Sequence, residues 1–177
     1  MTPTFRKFKV DNVSAIAIYD YTEKIQGLLY QFKGCFDVEL SSTFLERYCF
    51  ELMMMFSDYL MVPIPSFIKD DEERGFNHVL EMFRFLKLKT LNILVKTKKY
   101  KQASNTLEKR KEITKYLKLK EKPDLKRKKI LIVDDVYTTG STMKAAIKLI
   151  KELHPRCIKI LVMSKAIFRE EKEPKVQ

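Results

Sequence analysis

With 177 residues, the chain suits one domain and is long enough to hide roughly 70% of its unfolded surface in a core. Its 35 Lys and Arg against 23 Asp and Glu give a formal net charge of +12, which favours polyanions (nucleic acid, anionic lipid or a phosphorylated small molecule), although lysines spread along the chain also suit a plain solvated surface. Three scattered cysteines, Cys35, Cys49 and Cys157, form no CxxC pair and argue against a disulfide scaffold or zinc; no apolar run approaches the ~20 residues that span a bilayer, so a cytoplasmic protein without membrane insertion or signal peptide is expected.

Residues 1–12 are polar and basic and are expected to be a flexible N-terminus. "VSAIAIY" (13–19) is a continuous apolar run and predicts a buried strand. In 22–33, Ile25, Leu28, Leu29 and Phe32 share one helical face. Residues 37–59 predict a longer helix, with the methionines of "MMM" as packing filler. "YLMVPIP" (59–65) predicts a strand ending in a proline-bounded turn. The charged stretch 66–77 reads as a loop, 78–88 as a short amphipathic helix and 91–97 as another strand. Residues 98–129 are Lys-rich, with a helix expected in their middle. A strand over 129–134, a turn over 135–141, a helix over 142–153 and a strand over 157–165 follow. Residues 167–177 read as a charged tail, leaving 13–166 as the folded domain. Strands alternating with helices imply crossover connections, hence an α/β fold with a mostly parallel central sheet flanked by helices. Ligands in such sheets bind at the carboxyl ends of the strands, which places 63–77, 95–105 and 134–142 around one rim.

The most informative stretch is 130–143, "ILIVDDVYTTGSTM". "ILIV" is apolar on both faces, as in a covered parallel sheet. Two acids do not suit the interior of such a strand, so Asp134 and Asp135 mark where it reaches the rim. A carboxylate pair there accepts hydrogen bonds from two adjacent hydroxyls, such as a ribose diol. The turn then offers backbone N–H groups ahead of a helix, with Gly140 relieving it sterically and Thr138, Thr139, Ser141 and Thr142 adding hydroxyls. Met143, Ala146, Ile147, Ile150 and Leu153 form the apolar face of that helix, and Pro155 stops it. Diol acceptors beside a phosphate cradle match a ribose 5-phosphate. A Walker A loop needs GxxxxGK[ST], which is absent; a receiver domain lacks the phosphate turn.

"ILIVDDVYTTGST" resembles the phosphoribosyl pyrophosphate (PRPP) motif of type I phosphoribosyltransferases. "AIYDYTEKIQGLLYQFKG" (17–34), "VPIPSFIKDDEERGFNHVLEMFRFL" (62–86) and "KTKKYKQASNTLEKRKEI" (96–113) narrow the resemblance to the ComF family of competence-associated, phosphoribosyltransferase-like proteins. The resemblance implies that Asp134 and Asp135 hold the ribose hydroxyls as the catalytic acids. It implies that Thr138, Thr139, Gly140, Ser141 and Thr142 hold the 5-phosphate, and that Pro65, Ser66 and Phe67 bind pyrophosphate beside Mg²⁺. The Mg²⁺ would arrive with PRPP near Asp134 and Asp135. Arg74 would clamp phosphate oxygens or pair with Glu72 or Glu73. Lys98, Lys99, Lys101 and Gln102 fall where the superfamily carries a basic catalytic hood. ComF proteins usually open with two CxxC pairs that bind zinc; this sequence shows none, so no zinc is expected.

Two functions are expected from this pattern. One is a PRPP-binding protein, with Mg²⁺, that transfers a ribose phosphate through an oxocarbenium-like centre. The other is a non-catalytic DNA-uptake accessory that binds single-stranded DNA or a competence helicase, for which the charge and aromatics among lysines (Tyr100, Tyr116) speak. A base-stacking aromatic among Tyr100, Phe67 and Phe168, and a homodimer, are compatible with either.

Overall fold

A computed structural model describes residues 2–34, 38–66, 68–97 and 116–166. In chain order it contains β1 (Arg6–Val10), β2 (Val13–Asp20), α1 (Glu23–Gly34), α2 (Ser41–Leu45), α3 (Cys49–Phe56), β3 (Tyr59–Pro63) and α4 (Ile68–Arg74). Then come α5 (His78–Phe83), β4 (Leu94–Lys96), β5 (Leu117–Leu119), β6 (Lys129–Tyr137), α6 (Ser141–Lys151) and β7 (Cys157–Lys165). Five strands form one sheet in the order β1-β2-β7-β6-β3. β2, β7, β6 and β3 run parallel, and β1 closes one edge antiparallel to β2.

The apolar run of β6 explains its central place. Ile130 and Ile132 enter one core layer, shared with Ala146, Ile147 and Ile150 of α6 and with the β4–β5 pair. Leu131 and Val133 enter the other, shared with Leu29 and Phe32 of α1, Leu52 and Phe56 of α3, and Val79 and Phe83 of α5. A strand with both faces covered has no use for alternation until it leaves the sheet. α6 is amphipathic in the expected way: Met143, Ala146, Ile147 and Ile150 are buried, while Lys144, Lys148 and Lys151 are exposed. The α/β fold with a mostly parallel, helix-flanked sheet is thus the observed architecture.

Several elements differ from their sequence reading. Residues 1–12 are not uniformly loose, because Arg6–Val10 pair with β2, as Phe8 with Ala15 and Val10 with Val13. Their alternation of exposed Lys7 and Lys9 with inward Phe8 and Val10 is a period-2 signal hidden by basic composition. The single helix expected over 37–59 is broken by short 3₁₀ turns at Val38–Leu40 and Glu46–Tyr48. The first of these turns ends where Ser41 opens α2, and a serine favours a helix start over a helix interior. The methionines are not all filler: Met54 is 68% and Met55 50% exposed. The stretch 66–77 contains the helix α4, which carries Asp70 and Asp71 in its first turn, where the helix dipole favours acids. Gly75, at φ +79°, ends it in a left-handed conformation suited to glycine. β4 does not join the central sheet but pairs antiparallel with β5, Leu94 opposite Leu119. The helix expected within 98–129 falls mostly on 98–115, outside the described residues, as does the tail 167–177.

Candidate functional site

β6 carries both acids inside the strand rather than at its end, since pairing with β7 continues through Asp134 opposite Val162, Val136 opposite Ser164 and Tyr137 opposite Lys165. Successive side chains of a strand take opposite faces, and so the two acids part. Asp135 is 7% exposed and lies on the face covered by α1 and α5. Its Oδ1 accepts the Val136 N–H at 2.6 Å. Its Oδ2 faces the Lys33 ammonium at the end of α1 and lies 3.2 Å from His78 Nε2 at the start of α5. Asp134 is half-buried on the other side, and its Oδ1 accepts the Asp135 N–H at 2.9 Å. Burial pushes the Asp134 carboxyl from an ordinary 3.8 up to about 7, against the opposing pull of the Lys33 and Lys96 ammoniums.

The turn after β6 is set by Gly140. Its φ is +72°, and a Cβ there would stand 2.3 Å from the Tyr137 hydroxyl oxygen and 2.6 Å from Cζ. Tyr137 is itself held edge-on against Phe8, ring centroids 4.9 Å apart. Only glycine satisfies both the backbone sign and the space. Gly140 is also the N-cap of α6 and, having no side chain, makes no side-chain cap hydrogen bond. The first-turn N–H groups thus receive no N-cap side chain from Gly140, and the Thr139 and Ser141 hydroxyls lie 3.1 Å from each other beside them. Thr138 and Thr139 are exposed; Ser141 and Thr142 are half-buried.

Ile64, Pro65 and Ser66 leave β3 beside β6, and the Ile64 N–H donates to the Val133 carbonyl at 2.9 Å. Pro65 and Ser66 are thereby brought to the same rim as the acids. Phe67 lies outside the described residues, as do Lys98, Lys99, Tyr100, Lys101, Gln102 and Phe168. Arg74 ends α4; its side chain lies outside the description. Three groups at the site escaped the sequence reading: Lys33, Lys96 and His78. His78 follows Asn77, whose Oδ1 caps α5 by accepting the Leu80 N–H at 2.9 Å; a histidine just inside a helix start was the available signal. Both lysines lie in stretches that carry the family resemblance, 17–34 and 96–113, but the sequence assigned neither a role at the site. Among the described residues no group of three or more His, Cys, Asp or Glu side chains is placed to hold a metal ion. Nor is any helix among them long and apolar enough to cross a membrane.

The family model for the phosphoribosyl transferase domain matches residues 77–176. The chain is 27% identical over 147 residues to "Competence protein ComFC" of Streptococcus pneumoniae (strain ATCC BAA-255 / R6), covering 83% of this chain and 66% of that protein's length. Among solved structures it is similar to a hypoxanthine phosphoribosyltransferase from Staphylococcus aureus, with 12% identity, TM-score 0.40, and coverage of 81% of this chain and 73% of that one. It is also similar to a purine phosphoribosyltransferase from Pyrococcus horikoshii Ot3, with 19% identity, TM-score 0.37, and coverage of 75% and 92%.

Proposed function

Because the chain belongs to the phosphoribosyl transferase domain family and is ComF-like over most of its length, we propose that it binds PRPP or another ribose 5-phosphate, with Mg²⁺, at the rim formed by β3, β6 and α6. The observation that carries this reading is the Gly140 turn, which leaves the start of α6 without a side-chain cap a few residues from Asp134. The 5-phosphate takes the first-turn amides and the hydroxyls of Thr139 and Ser141. Asp134 accepts the ribose hydroxyls, and Asp135 holds Lys33 and His78 in place behind it. The loop at Pro65 and Ser66 takes the pyrophosphate.

Mg²⁺ fits this site only as a passenger of the ligand. Asp134 offers a carboxylate, and the diphosphate, ribose hydroxyls and water supply the remaining oxygens. When bound with the diphosphate beside Asp134, the ion would supply charge neutralisation for the pyrophosphate leaving group. The protein's own part in phosphoribosyl transfer is to orient the ribose and to set cations, Lys33 and Lys96, near the acids. The test is a thermal shift. PRPP with Mg²⁺ raises the melting temperature, since a ligand that binds only the folded state stabilises it. Asp134→Asn removes the rise, and its persistence in that variant rejects the assignment.

A second reading, a single-stranded DNA- or helicase-binding competence accessory, is favoured by one feature. Lys144, Lys148 and Lys151 line, with Thr139 and Ser141, a cleft of about 430 Å³ along α6. A polyanion tracking that stripe would bind with steep salt dependence, insensitive to Asp134→Asn.

A further inference from the structure

β1 and β2 are closed on one face and open on the other. Toward α6, Val10, Val13, Ala15 and Ala17 are buried in the core. Toward the layer of α1, α3 and α5, Ile18 is buried, but Ile16 is only half-buried and Lys7, Lys9 and Ser14 are exposed. The register sets Lys7 beside Ile16 and, in the next row, Lys9, Ser14 and Lys159 side by side across β1, β2 and β7. With Met55 and Phe56 of α3 as its wall, this strip forms a groove of about 590 Å³.

α3 borders the groove and is itself incompletely covered. Its sequence, CFELMMMF, holds one charged residue, Glu51. A helix apolar on nearly all sides is ordinarily enclosed. Yet Phe50, Met54 and Met55 are 70%, 68% and 50% exposed, while Leu52 and Phe56 are buried. Two neighbouring strands span roughly 10 Å, the width of one helix. The bare strip over β1 and β2 is therefore the next helix-sized place in the layer beside α3.

The strip is cationic as well as apolar. Lys7 and Lys9 have no carboxylate partner among the described residues. The Lys159 ammonium rests over the rings of Phe56 and Tyr59, 5.9 and 5.5 Å from their centroids. Among the described residues no acid lines the groove. A second copy of the chain, docked there about a two-fold axis, would set lysine on lysine. A nucleic-acid backbone would satisfy the lysines but leave Ile16 and Met55 uncovered. A bilayer is flat and does not fill a recess between a helix and a sheet. A helix with acids flanking its apolar face answers both the lysines and the apolar wall, and flexible methionines adapt to such a face.

We propose that the groove between α3 and the strands β1 and β2 is the docking site for an acidic amphipathic helix of a partner protein. The partner's apolar side chains cover Ile16, Met54 and Met55, and its carboxylates meet Lys7, Lys9 and Lys159. Ser14 and Lys159 stand near the amino ends of β2 and β7, away from the rim at the carboxyl ends. Partner and rim ligand therefore occupy the chain together, and the site stands independently of the PRPP reading.

The test titrates the full chain with a dye-labelled synthetic helix that carries leucines along one face and glutamates on both flanks, read by fluorescence anisotropy. The peptide binds, and the methyl resonances of Ile16, Met54 and Met55 shift while those of Met143 and Met163 in the core stay in place. Met55→Asp, and Lys7→Glu together with Lys9→Glu, each weaken binding roughly tenfold. These side chains are exposed, so the melting temperature of the variants stays near that of the wild type. A peptide with lysines in place of the glutamates does not bind, and one with serines in place of the leucines binds roughly tenfold more weakly. Equal binding of the serine peptide means adsorption of any polyanion and overturns the proposal, as does failure of the leucine–glutamate peptide to bind. Polythymidine or phosphatidylglycerol vesicles that shift the same methyl resonances overturn it in favour of nucleic acid or membrane. A dimer in sedimentation that Met55→Asp dissolves overturns it in favour of a second copy.

Discussion

On the α6 side of the sheet, β6 presents Asp134 beside the glycine turn and within the field of Lys96. On the opposite side it presents Asp135 to Lys33 and His78. One peptide bond separates the two carboxyls, yet one is held within an internal network and the other is destabilised as an anion by burial. The difference teaches that adjacent acids in a strand are not a pair by virtue of adjacency. The pleat sends them to different layers, where they keep different partners.

The comparison is broken most severely from the Asp135 side. Asp135→Ala takes the shared carboxylate from Lys33 and His78 in a nearly closed setting, and is expected to lower stability by about 2–3 kcal/mol in denaturant titration. Next is Gly140→Ala. A left-handed backbone without glycine and a clash with Tyr137 together cost about 2 kcal/mol, and the displaced turn loses its phosphate affinity, read by thermal melting with and without ribose 5-phosphate.

Asp134 gives a smaller effect of opposite sense. Its carboxyl titrates near 7 in the folded chain and near 3.8 otherwise, so the folded state holds more protons between those values. Stability therefore falls as pH rises through that window. Asp134→Asn flattens this part of the pH profile and makes the protein more stable than wild type at pH 8, while removing ligand binding. A variant less stable than wild type at pH 8 would contradict the burial assigned to this group. The smallest effect belongs to Lys96→Met. Removing one of the cations that favour the Asp134 anion moves its titration upward by less than one pH unit, visible by carboxyl-carbon NMR.

The β6–turn–α6 unit was legible because every local signal agrees: an apolar run covered on both faces, a glycine that nothing else could replace, and a helix with clean periodicity. The parallel sheet followed from the alternation of strands and helices. β1 was not legible because Lys7 and Lys9 mask the inward Phe8 and Val10, and α4 was not because a seven-residue helix rich in acids has no apolar stripe to display. The breaks within 37–59 depend on how Ser41 and its neighbours pack, which periodicity does not carry. At the site, residue types and spacing pointed to Asp134, Asp135 and the turn, and the family resemblance to Ser66. The parting of the acids depends on β6 continuing as a strand to Tyr137, and the roles of Lys33, Lys96 and His78 on contacts between elements far apart in sequence.

The methionines of α3 have a chemical consequence. Met54 and Met55 stand in solvent, whereas Met61, Met82, Met143 and Met163 are enclosed in the two core layers. Thioether oxygenation follows access. Dilute peroxide should therefore form sulfoxide on α3 before it reaches either interior. That order of attack, followed by peptide mass spectrometry, gives a built-in gauge of whether a variant still closes its core.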